Sequence, residues 1–155
     1  MAQMNPDLLV RGGRIGTLID LFERNYRLIE RLVPELDLPF VSAISRAEND
    51  LPLHLIVLER GKFTASFRLS YQIEGRFEPD VWVKLYRDAQ LAETLYCATR
   101  PPWLALDESD PEALRYLNAQ WKRNVMLNKW LHYLLHHGHG FGMASRPRVL
   151  TGSTP

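Results

Sequence analysis

A group of aromatic and charged side chains with a spacing of two residues lies in the middle of the chain. Trp82, Lys84 and Tyr86 alternate with aliphatic residues, and the carboxyl side chains Asp88 and Glu93 follow closely. Alternation of this kind predicts a β-strand, whose successive side chains point to opposite faces of a sheet. Aromatic rings offer stacking area, a lysine attracts an anion and a carboxylate can orient that lysine. The five residues therefore form the candidate ligand-binding set.

Whether these side chains meet depends on the loop between the two strands that carry them. A loop with an even number of residues centred on Asp88-Ala89 brings the set to one face and leaves Tyr96 on the opposite face, with the core residues. The expected partners on the first face are Tyr86 with Leu91, Lys84 with Glu93 and Trp82 with Leu95. A three-residue loop would separate the set. The competing interpretation is structural: an ordinary cross-strand Lys-Glu pair contributes about 0.2 to 1 kcal/mol beside half-buried aromatic residues.

Histidines near the end of the chain raise the question of a metal site. His132 and His136 are one helical turn apart, so they could share a cation. No cysteine or acidic ligand accompanies them, and histidines near a helix C-terminus interact favourably with the helix dipole. We therefore predict no metal and no cofactor, and keep the His132–His136 pair as the alternative.

The sequence shows no motif for nucleophilic catalysis or phosphate binding. Gly-x-Ser-x-Gly is absent, and serines such as Ser42 and Ser45 are predicted to lie in strands or turns without a histidine base beside them. The glycine-rich segment 138–142 follows a helix, whereas phosphate-binding loops precede one. Cys97 is the single cysteine and is expected to be a buried structural thiol. The chain is therefore expected to bind without catalysing.

An amphipathic helix and a run of strands must position the candidate set. Apolar residues recur every three or four positions from Ile15 to Val33 and predict a helix that ends at Pro34. From Leu38 to Ala98 the period becomes two, which predicts a meander of about five strands. At one turn, Arg60-Gly61 predicts a two-residue hairpin loop. That loop would pair Glu59 with Lys62, Leu58 with Phe63 and His54 with Phe67.

A second long helix is predicted at the C-terminal end. Asp110, Pro111 and Glu112 are typical of a helix start, and an apolar stripe continues to about His137, before Gly138. The predicted fold class is α+β, with an N-terminal helix, a five-stranded antiparallel meander sheet and a long C-terminal helix.

Length and composition place these elements in one domain. The chain has 155 residues with 46% hydrophobic content and a formal net charge of +1. We predict a flexible arm over residues 1–13, a single domain over 14–142 and a disordered tail over 143–155. No apolar run approaches the roughly 18 residues of a spanning helix, and the first residues do not resemble a signal peptide, so a cytoplasmic protein without a membrane partner is expected.

Several of these segments resemble the YqiB-like family of uncharacterised bacterial proteins. The resemblance covers roughly Ile15 to Gly138. Its residues are Asn25-Tyr26, Leu32-Val33-Pro34, Leu85-Tyr86-Arg87-Asp88-Ala89, Trp130-Leu131 and His137-Gly138. It implies an α+β fold and a cytoplasmic bacterial setting. It implies no activity and gives no residue a role.

The leading functional hypothesis is a non-catalytic adaptor or regulatory module that binds a small anionic ligand or a protein partner, with the helices as a surface for a homodimer. One alternative is a small enzyme acting on a nucleotide-like or phosphorylated substrate, with Lys84 as anion clamp and Asp88 or Glu93 as acid-base group. A second alternative is weak RNA binding. Nucleic acid is disfavoured as a partner because the basic residues, such as Arg100 and Arg123, form no continuous stripe.

Overall fold

The structure is a computed structural model and describes residues 14–97 and 112–142. Its elements are α1 (Arg14–Leu32), β1 (Ser42–Ser45), β2 (Leu53–Arg60), β3 (Thr64–Ile73), β4 (Arg76–Tyr86), β5 (Leu91–Cys97) and α2 (Glu112–His136). The predicted α+β class is confirmed, with the helices at the two ends and the strands between them. The predicted arm, the predicted tail and the helix-start residues Asp110 and Pro111 lie outside the described residues.

The five strands form one antiparallel sheet in chain order, β1-β2-β3-β4-β5. Both helices lie on the same face. Most of their apolar residues pack with those of the strands into one main core, in which Phe67 and Leu131 have 0% exposure. A second, smaller apolar cluster lies between the two helices. We call the side of the sheet on which the helices pack the covered face. The opposite side, which carries Trp82, Lys84 and Tyr86, is the open face. The alternation of buried and half-buried residues along β4 follows from this one-sided packing.

Helix α1 packs through the stripe that the sequence predicts, with one exception. Leu18, Tyr26 and Ile29 of that stripe are buried, but Ile19 is 40% exposed and does not belong to the core. The helical hydrogen-bond pattern continues to Val33, whose N–H donates to the carbonyl of Ile29, and ends before Pro34. Within the described residues, neither helix contains a stretch long and apolar enough to cross a membrane.

The β2–β3 hairpin differs from the predicted two-residue loop. Val57 pairs with Phe67, and a bulge after Val57 shifts the register so that Arg60 pairs with Ala65. The N–H of Gly61 closes the loop by donating to the carbonyl of Thr64 over 2.7 Å. The predicted pairings of Glu59 with Lys62, Leu58 with Phe63 and His54 with Phe67 are wrong, because four residues, 61–64, separate the paired residues Arg60 and Ala65 where the prediction had two. The bulge then shifts the register by one residue, which periodicity alone does not reveal.

The turn between β3 and β4 is determined by the backbone conformation of its two central residues. Glu74 and Gly75 have φ angles of 50° and 79°. Two consecutive residues with positive φ form the type I′ turn, whose twist matches that of the strands it joins. Gly75 can adopt this conformation without a steric penalty.

Helix α2 ends in a complete Schellman motif. Gly138 has φ of 89°, its N–H donates to the carbonyl of Leu135, and the N–H of His139 donates to the carbonyl of Leu134. The motif turns the chain back toward the sheet. His139 and Phe141 are consequently buried.

Candidate functional site

The β4–β5 hairpin has the even loop on which the candidate set depends. Tyr86 pairs with Leu91 and Lys84 with Glu93 across a turn formed by residues 87–90, as predicted. The predicted pairing of Trp82 with Leu95 is wrong. A bulge between Trp82 and Val83 shifts the register, and Trp82 pairs with Tyr96.

The bulge changes which aromatic residues share the open face. Tyr96 leaves the core side to which the alternation had assigned it and is 47% exposed. Its ring meets that of Trp82 edge to face, with 5.3 Å between the ring centres. This contact gives the open face an aromatic pair that strict alternation does not predict.

The carboxylate of Glu93 is held by two donors. The hydroxyl of Tyr86 donates to one carboxylate oxygen over 2.9 Å, and the side-chain amide of Gln120 donates to the other over 2.9 Å. Lys84, which pairs with Glu93 in the strand register, has its ammonium 5.2 Å from the centre of the Tyr86 ring. The expected contact, in which Glu93 orients Lys84, is therefore replaced by two contacts of Tyr86. Its hydroxyl binds Glu93 and its ring lies near the Lys84 ammonium.

Asp88 lies apart from these contacts. It is exposed at the hairpin tip, and one of its carboxylate oxygens accepts the N–H of Ala89 over 2.9 Å. This local bond is the turn-capping role typical of aspartate in loops. The structure thus brings Lys84, Tyr86 and Glu93 together, places Trp82 beside Tyr96, and leaves Asp88 in the turn.

An ion pair that the sequence analysis missed lies in the same face. Arg68 of β3 pairs with Trp82 in the register, and its Nε and Nη2 donate to the two carboxylate oxygens of Asp80 over 2.8 and 2.9 Å. The guanidinium carbon is 4.1 Å from the centre of the Phe77 ring. The hydrogen bonds with Asp80 raise the pKa of Arg68 above its usual value. Sequence alternation does place Arg68 on this face, but its partner becomes known only with the β3–β4 register.

The outer edge of the site is fixed by buried asparagines. Asn124 of α2 accepts the N–H of Thr94 through its side-chain oxygen over 2.9 Å, so the edge strand β5 has a protein acceptor where it would otherwise need water. The side-chain amide of Asn25 in α1 donates to the backbone carbonyl of Asn124 over 3.0 Å. Helix α2 thus holds β5 at Thr94 and holds Glu93 through Gln120.

A second cluster joins the C-terminal segment to β1 and the loop that follows it. His139 is hydrogen-bonded through Nε2 to Asp50 over 2.9 Å and through Nδ1 to the hydroxyl of Ser45 over 2.9 Å. The sequence interpretation that Ser45 has no histidine beside it is therefore wrong. Ser45 and His139 are 94 positions apart, and their contact arises only because the Schellman motif redirects the chain.

The cluster has the residue types of a catalytic triad, but its burial and hydrogen bonds are those of a contact that stabilises the fold. Ser45 is 2% exposed, and its hydroxyl oxygen already accepts the N–H of Gly140 over 2.9 Å. When Nε2 of His139 donates to the carboxylate, Nδ1 accepts the Ser45 hydroxyl and every polar atom of the chain of bonds is satisfied. We call Ser45, Asp50 and His139 the latch.

Asp50 is the ionised member of the latch. Burial acts to raise the pKa of this carboxyl, but hydrogen bonds from Tyr71, from the N–H of Leu51 and from His139 outweigh it and hold the pKa below its usual value. The hydroxyl of Tyr71 donates to Asp50 over 2.6 Å. Burial in turn raises the pKa of Tyr71, so that it stays a donor.

The histidines of α2 are more exposed than His139 of the latch. His132 and His136 are both exposed, and the ring of His136 lies edge to face against His137 at 5.4 Å. Residues 14–97 and 112–142 contain no group of three or more metal-binding side chains. A cation shared by His132 and His136 stays an alternative prediction.

Comparison with known proteins places the chain in a family. The model of a family described as "Protein of unknown function (DUF1249)" matches residues 28–140. The chain belongs to this family. The match takes in both the open face and the latch of this DUF1249 protein. No curated protein and no solved structure matches the chain.

Proposed function

We propose that this DUF1249 protein is a non-catalytic binding module that holds a small anionic ligand on its open face. The observation that carries the proposal is the arrangement of Lys84, Tyr86 and Glu93. The Glu93 carboxylate is engaged by Tyr86 and Gln120, and Lys84 takes part in no ion pair within the described residues. The ammonium is therefore available to an anion.

The wall around Lys84 suits a ligand with an apolar, flat part. Trp82, Tyr86 and Leu91 are half-buried and Tyr96 is exposed, so ring surface reaches solvent on both sides of the lysine. Apolar walls with a few fixed polar groups are typical of small-molecule sites. The covered face cannot serve in this way because the helices fill it.

The proposal is tested by a thermal-shift screen of small anionic metabolites against three variants. Lys84→Ala and Tyr86→Ala are expected to abolish the shift that a binding compound gives with the unaltered protein. Lys62→Ala is the matched control, because its ammonium lies 5.3 Å from the centre of the Phe63 ring, almost as Lys84 lies from Tyr86, but in the β2–β3 loop. Equal shifts in all three variants would refute the open face as the site.

The alternatives from the sequence have less support. An enzyme with Asp88 as acid-base group needs that carboxylate beside Lys84, whereas Asp88 is exposed and caps its own turn. RNA binding requires basic side chains that are available to phosphates. Arg123 instead donates to the side chain of Gln120, and Arg100 lies outside the described residues.

We also propose the finer setting that the resemblance to the YqiB-like proteins implies, a bacterial cytoplasm. A protein partner is the alternative occupant of the open face, and the helices are the proposed surface for a homodimer. Light scattering separates these cases from ligand binding, because a homodimer formed through the helices would persist in Tyr86→Ala.

A further inference from the structure

We propose that Arg68 is the oxoanion-binding residue of the open face, and that the ligand is an oxoanion carried on a flat ring. This inference rests on the proposed function and specifies the class of ligand. Its basis is the Arg68–Asp80–Trp82 contact set, which no sequence motif indicated.

One carboxylate fixes both the cation and the ring. Asp80 accepts Nε and Nη2 of Arg68, and one of the same oxygens accepts the indole N–H of Trp82 over 3.2 Å. Asp80 is 7% exposed, so this anchor is removed from solvent. The guanidinium and the indole are consequently presented side by side, with 6.0 Å from the guanidinium carbon to the Trp82 ring centre.

Arg68 keeps donors for a second anion. Asp80 occupies Nε and one N–H of Nη2, which leaves the Nη1 group and the other N–H of Nη2. Nη1 has no partner in the part of the chain that the structure describes, and the side chain is 25% exposed. Stacking on Phe77 at 4.1 Å fixes the plane of the fork. A fork fixed in advance loses little rotamer freedom when it binds a carboxylate or a phosphate.

The distances specify how the two parts of the ligand are joined. Trp82 pairs with Arg68 on one side and with Tyr96 on the other, and neighbouring strands are about 4.8 Å apart. A ring on the Trp82–Tyr96 pair therefore brings an oxoanion within reach of Arg68 only if a short link joins them. Lys84, two residues along β4 from Trp82, adds a second positive charge on the same face. An aromatic carboxylate and a nucleoside monophosphate both share this chemistry.

The test is an NMR titration of the full chain with two complete probes, 4-hydroxybenzoate and AMP. Phenol and adenosine supply the ring alone, and inorganic phosphate and acetate supply the anion alone. At least one complete probe is expected to shift the Trp82 indole N–H and to bind about tenfold or more tightly than its ring-only partner, as a charge-assisted hydrogen bond requires. The probe that binds distinguishes carboxylate from phosphate.

Arg68→Lys keeps the charge and removes the fork, and is expected to weaken the complete probe roughly tenfold. Arg24→Lys, at an exposed position of α1, is the matched control and is expected to change nothing. If Arg68→Lys binds the complete probe as the unaltered protein does, the inference is overturned while the proposed function stands, because Lys84 can still hold the anion. If ring-only and complete probes bind equally, the anion contributes nothing and both proposals are overturned. If no probe shifts any open-face amide, both are overturned. The comparison of complete and ring-only probes needs no variant, so it holds even if Arg68→Lys fails to fold.

Discussion

Replacing His139 with alanine should destabilise the fold strongly although the residue follows the last helix. The side chain is fully buried and makes two hydrogen bonds of 2.9 Å. The bond to the ionised Asp50 contributes about 1.5 to 3 kcal/mol and the bond to the neutral Ser45 about 0.5 to 1.5 kcal/mol. Asp50 keeps Tyr71, and Ser45 keeps the N–H of Gly140, so neither is left without a partner. The expected loss in the free energy of unfolding is therefore about 3 kcal/mol.

Urea unfolding followed by tryptophan fluorescence measures this loss. For a chain of this size, about 3 kcal/mol corresponds to a fall in melting temperature of roughly 6 to 12 °C. His132→Ala is the control, because His132 is exposed on α2 and its removal should change stability by less than about 0.5 kcal/mol. A double-mutant cycle with Asp50→Asn should give a coupling of about 0.5 to 3 kcal/mol. If the two histidine variants unfold at the same urea concentration, the latch does not stabilise the fold and the reasoning is refuted.

Three further outcomes follow from the same contacts. Asn124→Ala removes the acceptor of the Thr94 N–H and should cost about 1 to 3 kcal/mol in urea unfolding; an unchanged midpoint would show that water replaces the side chain. Gly138→Ala puts a side chain at φ of 89° and should cost about 1 to 2 kcal/mol in thermal unfolding, whereas equal stability would contradict the Schellman turn. Because the pKa of Asp50 is lower in the folded state than in the unfolded state, its contribution is present above the unfolded-state value and is lost as the pH falls through the folded-state value. Stability measured at a series of acid pH values should therefore fall less steeply in Asp50→Asn than in the unaltered protein, and parallel curves would contradict this assignment.

The fold was largely predictable because its signals are local and periodic. The change of period from about four residues to two after Pro34 marks the start of the sheet, and the even loop at Asp88-Ala89 sets the pairing of Lys84 with Glu93. Bulges are the part that periodicity misses. The unpaired Leu95 of β5 moved Tyr96 to the open face, and the unpaired Leu58 of β2 changed the β2–β3 register.

Contacts between distant segments were not predictable from spacing. Asp50 and His139 are 89 positions apart, and no local pattern relates them. The carboxylate of Asp80 could be assigned to a face by alternation, but its hydrogen bonds with Arg68 and Trp82 depend on the register of β3 against β4. Sequence reasoning therefore predicted that Lys84, Tyr86 and Glu93 lie together, but it found neither of the two buried anchors, Asp80 and Asp50.

The Schellman turn after α2 also defines how short the protein can be made. The N–H of Phe141 donates to the carbonyl of Leu32 at the end of α1 over 2.8 Å, and the Phe141 ring is 1% exposed within the core. A chain cut at the last helical residue would keep every helix and strand yet lose the latch and this packing. The smallest unit that folds should therefore extend through residue 141. A chain that ends at His136, the boundary drawn from secondary structure alone, is expected to be only partly folded.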